Sequence, residues 1–379
     1  MSRNIVIFCT FLAMLTFLTF RKSPREIVNV YGWYGIIDRE IFDEFEKKTG
    51  IKVIYDVYDN NDTLEAKLLA TNSGYDVVFP SFIPYAARQC DMGAYSRLDE
   101  NLIPNIENIK GCVTDKYKEA GGKIEHLIPI FWGTVGLAYD ADVFEKVFPQ
   151  KKIDSYDILF EPEKISLLSK YGISFPEEYI DIFPQMGVFL SIGNGLGTRQ
   201  ISDIVKYMKQ FKKIRKYIKK FSSNTAINDL ISGEVCIAIC ASDNAWRAHV
   251  AGMKVGKNIK YTTTKDFGIL WTDCVGIPEK APHKKNAYKF LNYLLDPKIA
   301  AKITNCSGIL VNVPSAFKMF KKELTDDDQI CPLEKEKIFR LMIGTPSVTP
   351  EDRNYERAAT RAWSKTRMNE FSHVEDIEE

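Results

Sequence analysis

Asp273 is the one acid in an otherwise apolar run, GILWTDCVGIP. Burying a carboxylate there is costly unless it meets a cation or hydrogen-bond donors, so its surroundings must supply one or the other. If the run is a strand, Trp271 shares its face, because side chains alternate with a period of two. In PEEYID, Glu178 and Asp181 lie three apart at a helix start and so share a face. The helix dipole alone also favours first-turn acids. Two further candidates follow strands: the aromatic pair Trp33 and Tyr34, and Ser81 in a Pro-Ser loop. Carboxylates gathered with aromatic rings can hold a cationic group, by charge-assisted hydrogen bonds and by the negative faces of the rings. Trp33 and Trp271 could instead be plain core aromatics, but their strand-end positions beside glycine or acid favour a lined cleft.

Catalytic chemistry is harder to find. His126, His249, His283 and His373 are the only histidines, and none has metal-ligand spacing or a neighbouring nucleophile. No phosphate-binding glycine loop follows a strand. Paired carboxylates can hydrolyse glycosides, yet nothing near Asp181 or Asp273 separates an acid from a base. The expectation is a binding protein that is not an enzyme and uses no metal or cofactor. The formal net charge is +1, and −3 without residues 1–25, with no basic patch, which argues against a nucleic-acid partner. Seven cysteines follow residue 25, without the spacing of a disulfide framework or a zinc site. Cys236 and Cys240 fall in an apolar strand, VCIAIC, where they should face one side as buried thiols.

The candidates need elements to position them. Residues 27–89 read as strand, helix, strand, helix, strand, which would deliver ligand-facing loops to one edge of a parallel sheet. Asp38 is a candidate N-cap and Gly50 a helix stop, with Ile41, Phe42 and Phe45 on one face. A second helix starts at Asp62 with Leu64, Leu68 and Leu69 inward. IPIFWGTVGLAYD reads as two extended pieces joined at Trp132-Gly133-Thr134, a kink suited to crossing between lobes. Helices are expected around 177–190, 202–211, 225–232, 244–250, 284–294, 297–305 and 352–368. The alternation indicates α/β architecture, and roughly 350 residues after the leader exceed one ordinary core.

Ile5 to Phe20 form an uncharged run of 16 residues, preceded by Arg3 and followed by Arg21, Lys22 and Arg25. A secretory apolar region has about 7–15 residues and a membrane span about 17–25, so the run falls between them. No small-x-small cleavage site follows. The expectation is export, as a signal peptide or an uncleaved N-terminal anchor over residues 1–26.

The chain resembles the bacterial spermidine/putrescine-binding proteins, the periplasmic receptors of polyamine ABC importers. The matching stretches are FEKKTGIKVIYDVYDNNDTLEAKLLA, YDVVFPS, WGTVGLAYD, AYKFLNYLLDP and TRAWSKTR. The resemblance implies a type II periplasmic binding protein fold, two α/β lobes joined by crossing hinge strands with the ligand between them. Lobe 1 would comprise 27–134 with 262–308, and lobe 2 135–261 with 309–379. It implies a small cationic polyamine, putrescine or spermidine, as ligand, and an inner-membrane permease with its ATPase as partners of a monomeric receptor. The implied ligand-binding set is Trp33, Tyr34, Ser81, Glu178, Asp181, Asn244, Trp271 and Asp273. Asn244 has the alternative reading of a helix cap.

Several positions depart from the family pattern. Gly35 and Ile36 stand where an acid and a tyrosine are usual, Ala241 replaces a tryptophan, and Leu310 replaces a tyrosine. Two alternatives therefore stay open: a receptor for another amine or an amino-acid-like ligand, with a site enlarged at Ala241 and Leu310, and an anchored sensor or scaffold.

Overall fold

The computed structural model describes residues 26–70, 73–192, 199–223, 225–264, 268–325, 341–343 and 350–371. The leader and Cys331 lie outside the described residues. β1 (Ile27–Trp33), β2 (Lys52–Tyr58) and β3 (Val77–Val78) run parallel with β1 central, and α1 (Arg39–Thr49) and α2 (Asn61–Leu69) cross between them. α1 buries Ile41 and Phe45 and stops at Gly50, whose φ of 75° suits the left-handed cap; its N–H reaches the Glu46 carbonyl at 2.8 Å. Asp38 precedes α1 in extended geometry, but its side chain makes no capping bond. α2 is capped by Asn60, whose side chain accepts from the Thr63 N–H at 2.9 Å. Leu64 is buried, whereas Leu69, expected inward, is exposed at the helix end.

The crossing strands define the architecture. β4 (Leu127–Asp140) is one continuous 14-residue strand, not two pieces, with no break at Gly133. β5 (Ile173–Phe175), β6 (Lys220–Phe221), β7 (Ile237–Ala241) and β8 (Ile259–Thr262) belong to its second-half side. β9 (Gly268–Gly276) runs antiparallel to β4 along most of both strands, from Leu127↔Gly276 to Val135↔Ile269, with a register shift between Pro129 and Phe131. Each long strand thus enters both halves of the sheet. The main path is β2-β1-β3-β9-β4-β7-β5-β6; β10 (Leu310–Val311) adds to β4 and β11 (Leu341–Ile343) to β9. Gly133 has a packing role. A Cβ there would stand 2.6 Å from Trp271 Cζ2 and 2.7 Å from Ser242 Oγ, so the indole lies across bare backbone.

Two large cores flank these strands. One gathers β1, α1 and the helices α7 (Lys284–Leu294) and α8 (Pro297–Ser307). The other gathers α3 (Phe183–Phe189), α4 (Ile201–Ile214) and α9 (Pro350–Arg367). α9 closes the second core with Trp363, whose ring centroid is 4.9 Å from that of Phe211. Its C-terminal carbonyls, of Thr366 and Arg367, accept from Arg215 Nε and Nη2 at 3.0 and 2.7 Å. Leu310, Val311, Val313, Ala316, Phe320 and Leu324 pack into the first core, as do Ala226, Trp246 and Tyr261 from the segment between β6 and β9. One expectation changes here. Cys236 and Cys240 are both buried but join different cores, because Cys236 precedes β7 and escapes its alternation.

Candidate functional site

Asp273 sits in the part of β9 that pairs with the first half of β4, and is only 7% exposed. It forms a bridge with Ser81, the residue that β3 delivers beyond Pro80. Ser81 Oγ donates to Asp273 Oδ1 at 2.7 Å. Ser81 is itself held by Asn61 at the start of α2: Asn61 Nδ2 donates to Ser81 Oγ at 3.1 Å, and the Ser81 N–H donates to Asn61 Oδ1 at 3.0 Å. Burial pushes the Asp273 carboxyl from 3.8 up to about 7; the Ser81 hydrogen bond opposes this, and the Asp243 charge adds to it. The Trp33 indole N–H is near enough to pull the other way, without a well-aligned hydrogen bond to any protein group. Trp33 stacks obliquely on Tyr58, with centroids 4.5 Å apart, and Tyr55 Oη donates to its carbonyl at 2.7 Å.

Opposite, the expected helix over 177–190 is a single 3₁₀ turn, Tyr179–Asp181, followed by α3. Glu178 precedes the turn in extended geometry, and its charge reaches Asp181. Asp181 is half-buried: solvent touches it, yet protein crowds round it. Desolvation and the neighbouring Glu178 charge push it up to about 7. Glu178 is exposed at the rim. Desolvation raises its pKa, Arg367 opposes, and Asp62 and Glu177 add to the rise. Among the described residues no cationic side chain pairs with Asp273 or Asp181.

α5 (Ala226–Ser232) and α6 (Ser242–Met253) pack together, and α6 springs directly from β7. Ser242 Oγ accepts from the Thr134 N–H at 3.1 Å, which ties the helix start to β4 at the crossing. Asn244 does not cap α6, since Ala241 holds the cap position. Its Oδ1 accepts from Arg247 Nη2 at 2.6 Å, and the same Nη2 reaches Asp243 Oδ2 at 2.7 Å. Cys240 feels the charges of Asp243, Asp181 and Arg247 together, so these groups share one neighbourhood. Sequence reasoning missed Asp243, Arg247 and Asn61. The i,i+4 spacing of Asp243 and Arg247 was available as a signal, but it is common on solvated helix faces.

Trp271 lies where the crossing strands meet and packs against both large cores. Its indole N–H, like that of Trp33, is buried without a protein partner. The structure therefore brings Ser81, Asp273 and Trp33 together, and places Asp181 with Asp243 and Arg247 around Cys240, Asn244 being bound to Arg247. Glu178 lies beside Asp181 and is exposed. Tyr34 is 83% exposed and points to solvent. Ile36 and Leu310, at positions where the family pattern has tyrosines, are buried in the first core, so Leu310 does not enlarge the cleft; Ala241 is half-buried at the end of β7. A separate open groove of about 800 Å³, lined by Tyr31, Asp56, Thr63, Lys67 and Tyr75, lies on the β2–α2 side and contains none of the candidate carboxylates.

Partly buried ion pairs tie α9 to its surroundings. Arg88 binds Glu65 through Nε and Nη2 at 3.0 and 2.7 Å, and its Nη1 lies 3.9 Å from Glu356 on α9. Arg199 pairs with Asp352 and Glu356 of the same helix.

Residues 40–330 match the model of the bacterial extracellular solute-binding protein family. The putrescine-binding periplasmic protein SpuD of Pseudomonas aeruginosa is 34% identical over 354 residues, covering 91% of this chain and 93% of that protein. The putrescine-binding periplasmic protein PotF of Escherichia coli is 30% identical over 358 residues, covering 91% and 92%. Among solved structures, the spermidine/putrescine ABC transporter substrate-binding protein PotD of Streptococcus pneumoniae superposes with a TM-score of 0.76 at 20% identity, over 91% of this chain and 99% of that one. That likeness establishes the two-lobed periplasmic binding protein fold. With crossing strands between its two large cores and these matches along most of its length, the chain belongs to the bacterial extracellular solute-binding proteins.

Proposed function

We propose that the protein is an extracytoplasmic receptor of an ABC importer that binds a polyamine of the putrescine or spermidine type in the interlobe cleft. The observation that carries this reading is the pair Asp273 and Asp181. Both are desolvated up to about 7, and neither is neutralised by a described side chain. A buried carboxylate without a cation is costly. Two ammonium groups joined by methylenes would satisfy both, with Trp33 and Trp271 covering the apolar chain. Ligand bound from both walls favours the closed state over the open one, which is the signal a permease can read. The partners on this reading are the permease and its ATPase. The receptor acts as a monomer outside the cytoplasm, released or held by its leader, and performs no catalysis. The lobes are 27–134 with 262–308, and 135–261 with 309–379.

Calorimetric titration with putrescine, cadaverine, spermidine and spermine tests the assignment. Binding of at least one is expected, and absence of binding by all four at millimolar concentration would remove it. A second reading, an amine that also carries a hydrogen-bond acceptor, draws on the indole N–H groups of Trp33 and Trp271, two of the four left without a partner among the described residues. Mass spectrometry of ligand that co-purifies with the protein separates the two.

A further inference from the structure

Asp243 is buried near the start of α6 and lies within electrostatic reach of Asp273. It differs from Asp273 and Asp181 in one respect: the chain supplies its cation. Arg247, one helical turn on, places Nη2 2.7 Å from Asp243 Oδ2 and 2.6 Å from Asn244 Oδ1. Its guanidinium extends toward the loop after β1, where Nη1 lies 3.9 Å from the place a Cβ on Gly35 would occupy. Gly35 has φ +72°, a conformation that favours glycine, and its bare backbone faces the guanidinium at ordinary contact distance. Three aspartates thus border one neighbourhood; two lack a cation, and the third is already satisfied. Glu178 is no substitute for the third, because it is exposed at the rim beside Arg367, where solvent screens it.

We propose that Arg247 stands in for a third ligand ammonium: by neutralising Asp243 from within the chain, it makes the cleft selective for diamines over triamines and longer polyamines. The proposal rests on the amine-receptor reading above. A triamine entering the cleft finds the third aspartate already paired, so its extra ammonium gains no anionic partner there. Removing the guanidinium unmasks Asp243 as a third anionic position.

The test is calorimetric titration of the purified full chain with putrescine and with spermidine. Four proteins are compared: wild type, Arg247→Gln, Arg247→Lys and the double variant Asp243→Asn/Arg247→Gln. Wild type should prefer putrescine. Arg247→Gln should shift the affinity ratio toward spermidine by roughly 10- to 100-fold, the worth of one charge-assisted hydrogen bond. Arg247→Lys keeps the charge and should keep the preference. The double variant lacks both the guanidinium and the carboxylate it masks, and should return to the wild-type ratio. A wild type that prefers spermidine, or an Arg247→Gln ratio equal to wild type in a protein with a native circular-dichroism spectrum, overturns the proposal. If Arg247→Gln does not fold, loss of the diamine preference in either of the other variants overturns it, and its retention in both supports it. Absence of amine binding in all four proteins removes the receptor reading and this proposal together, whereas amine binding with an unchanged ratio removes this proposal alone.

Discussion

At Asp273 the protein provides one hydrogen bond, from Ser81, and at Asp181 none from a described side chain. Asp273→Asn keeps the shape and removes the charge, so it should weaken amine binding by about 1.5–3 kcal/mol, read by calorimetry. An unchanged affinity would take Asp273 out of the site. Both aspartates also tie stability to pH. Their folded pKa values lie above the unfolded ones, so folding disfavours the ionised form. The penalty is absent below about pH 4, grows as pH rises and is complete above about 7. These two groups should therefore make the ligand-free protein less stable on going from pH 5 to pH 8. Scanning calorimetry should show a smaller fall in Asp273→Asn than in wild type. Asp273 was legible in the sequence because a lone acid in an apolar strand is chemically odd. Arg247 was not, because only the burial of Asp243 and the bare backbone at Gly35 distinguish its i,i+4 pair from a solvated one.

Among the elements, the β1-α1-β2-α2-β3 order could be read directly, since hydrophobic spacing, Gly50 and the Pro-Ser turn all point the same way. The continuity of β4 could not. Gly133 looks like a break in sequence, and its role as a seat for the Trp271 ring exists only once β9 is paired with β4. Gly133→Ala should force the indole or Ser242 to move and cost about 1–3 kcal/mol of stability. Urea unfolding measures the cost, and a shift in tryptophan emission would show that the ring has moved. Ile36 and Leu310 illustrate the opposite failure. Alignment of family motifs places a residue in the chain, but only packing decides whether it faces the cleft or the core.

The whole molecule is held by contacts of unequal weight across its cleft. The Arg88–Glu356 approach of 3.9 Å joins the two sides through partly buried side chains, but Arg88 is already bound by Glu65 at 2.7 Å, which leaves the longer pair a weak tie. Glu356→Gln should accordingly change amine affinity by less than about fivefold, against the much larger effect of Asp273→Asn on the inner wall. On the proposed function, closure is driven by ligand charge inside the cleft and not by this pair. The most direct test is calorimetry of putrescine binding to the wild-type protein between pH 6 and pH 8, in buffers of different ionisation enthalpy. A diamine that needs both aspartates ionised should bind more tightly as pH rises, by up to about tenfold per unit for each carboxylate below 7, and should release about one proton at pH 7. Binding with an affinity independent of pH and no proton release, or no binding at all, would contradict the account.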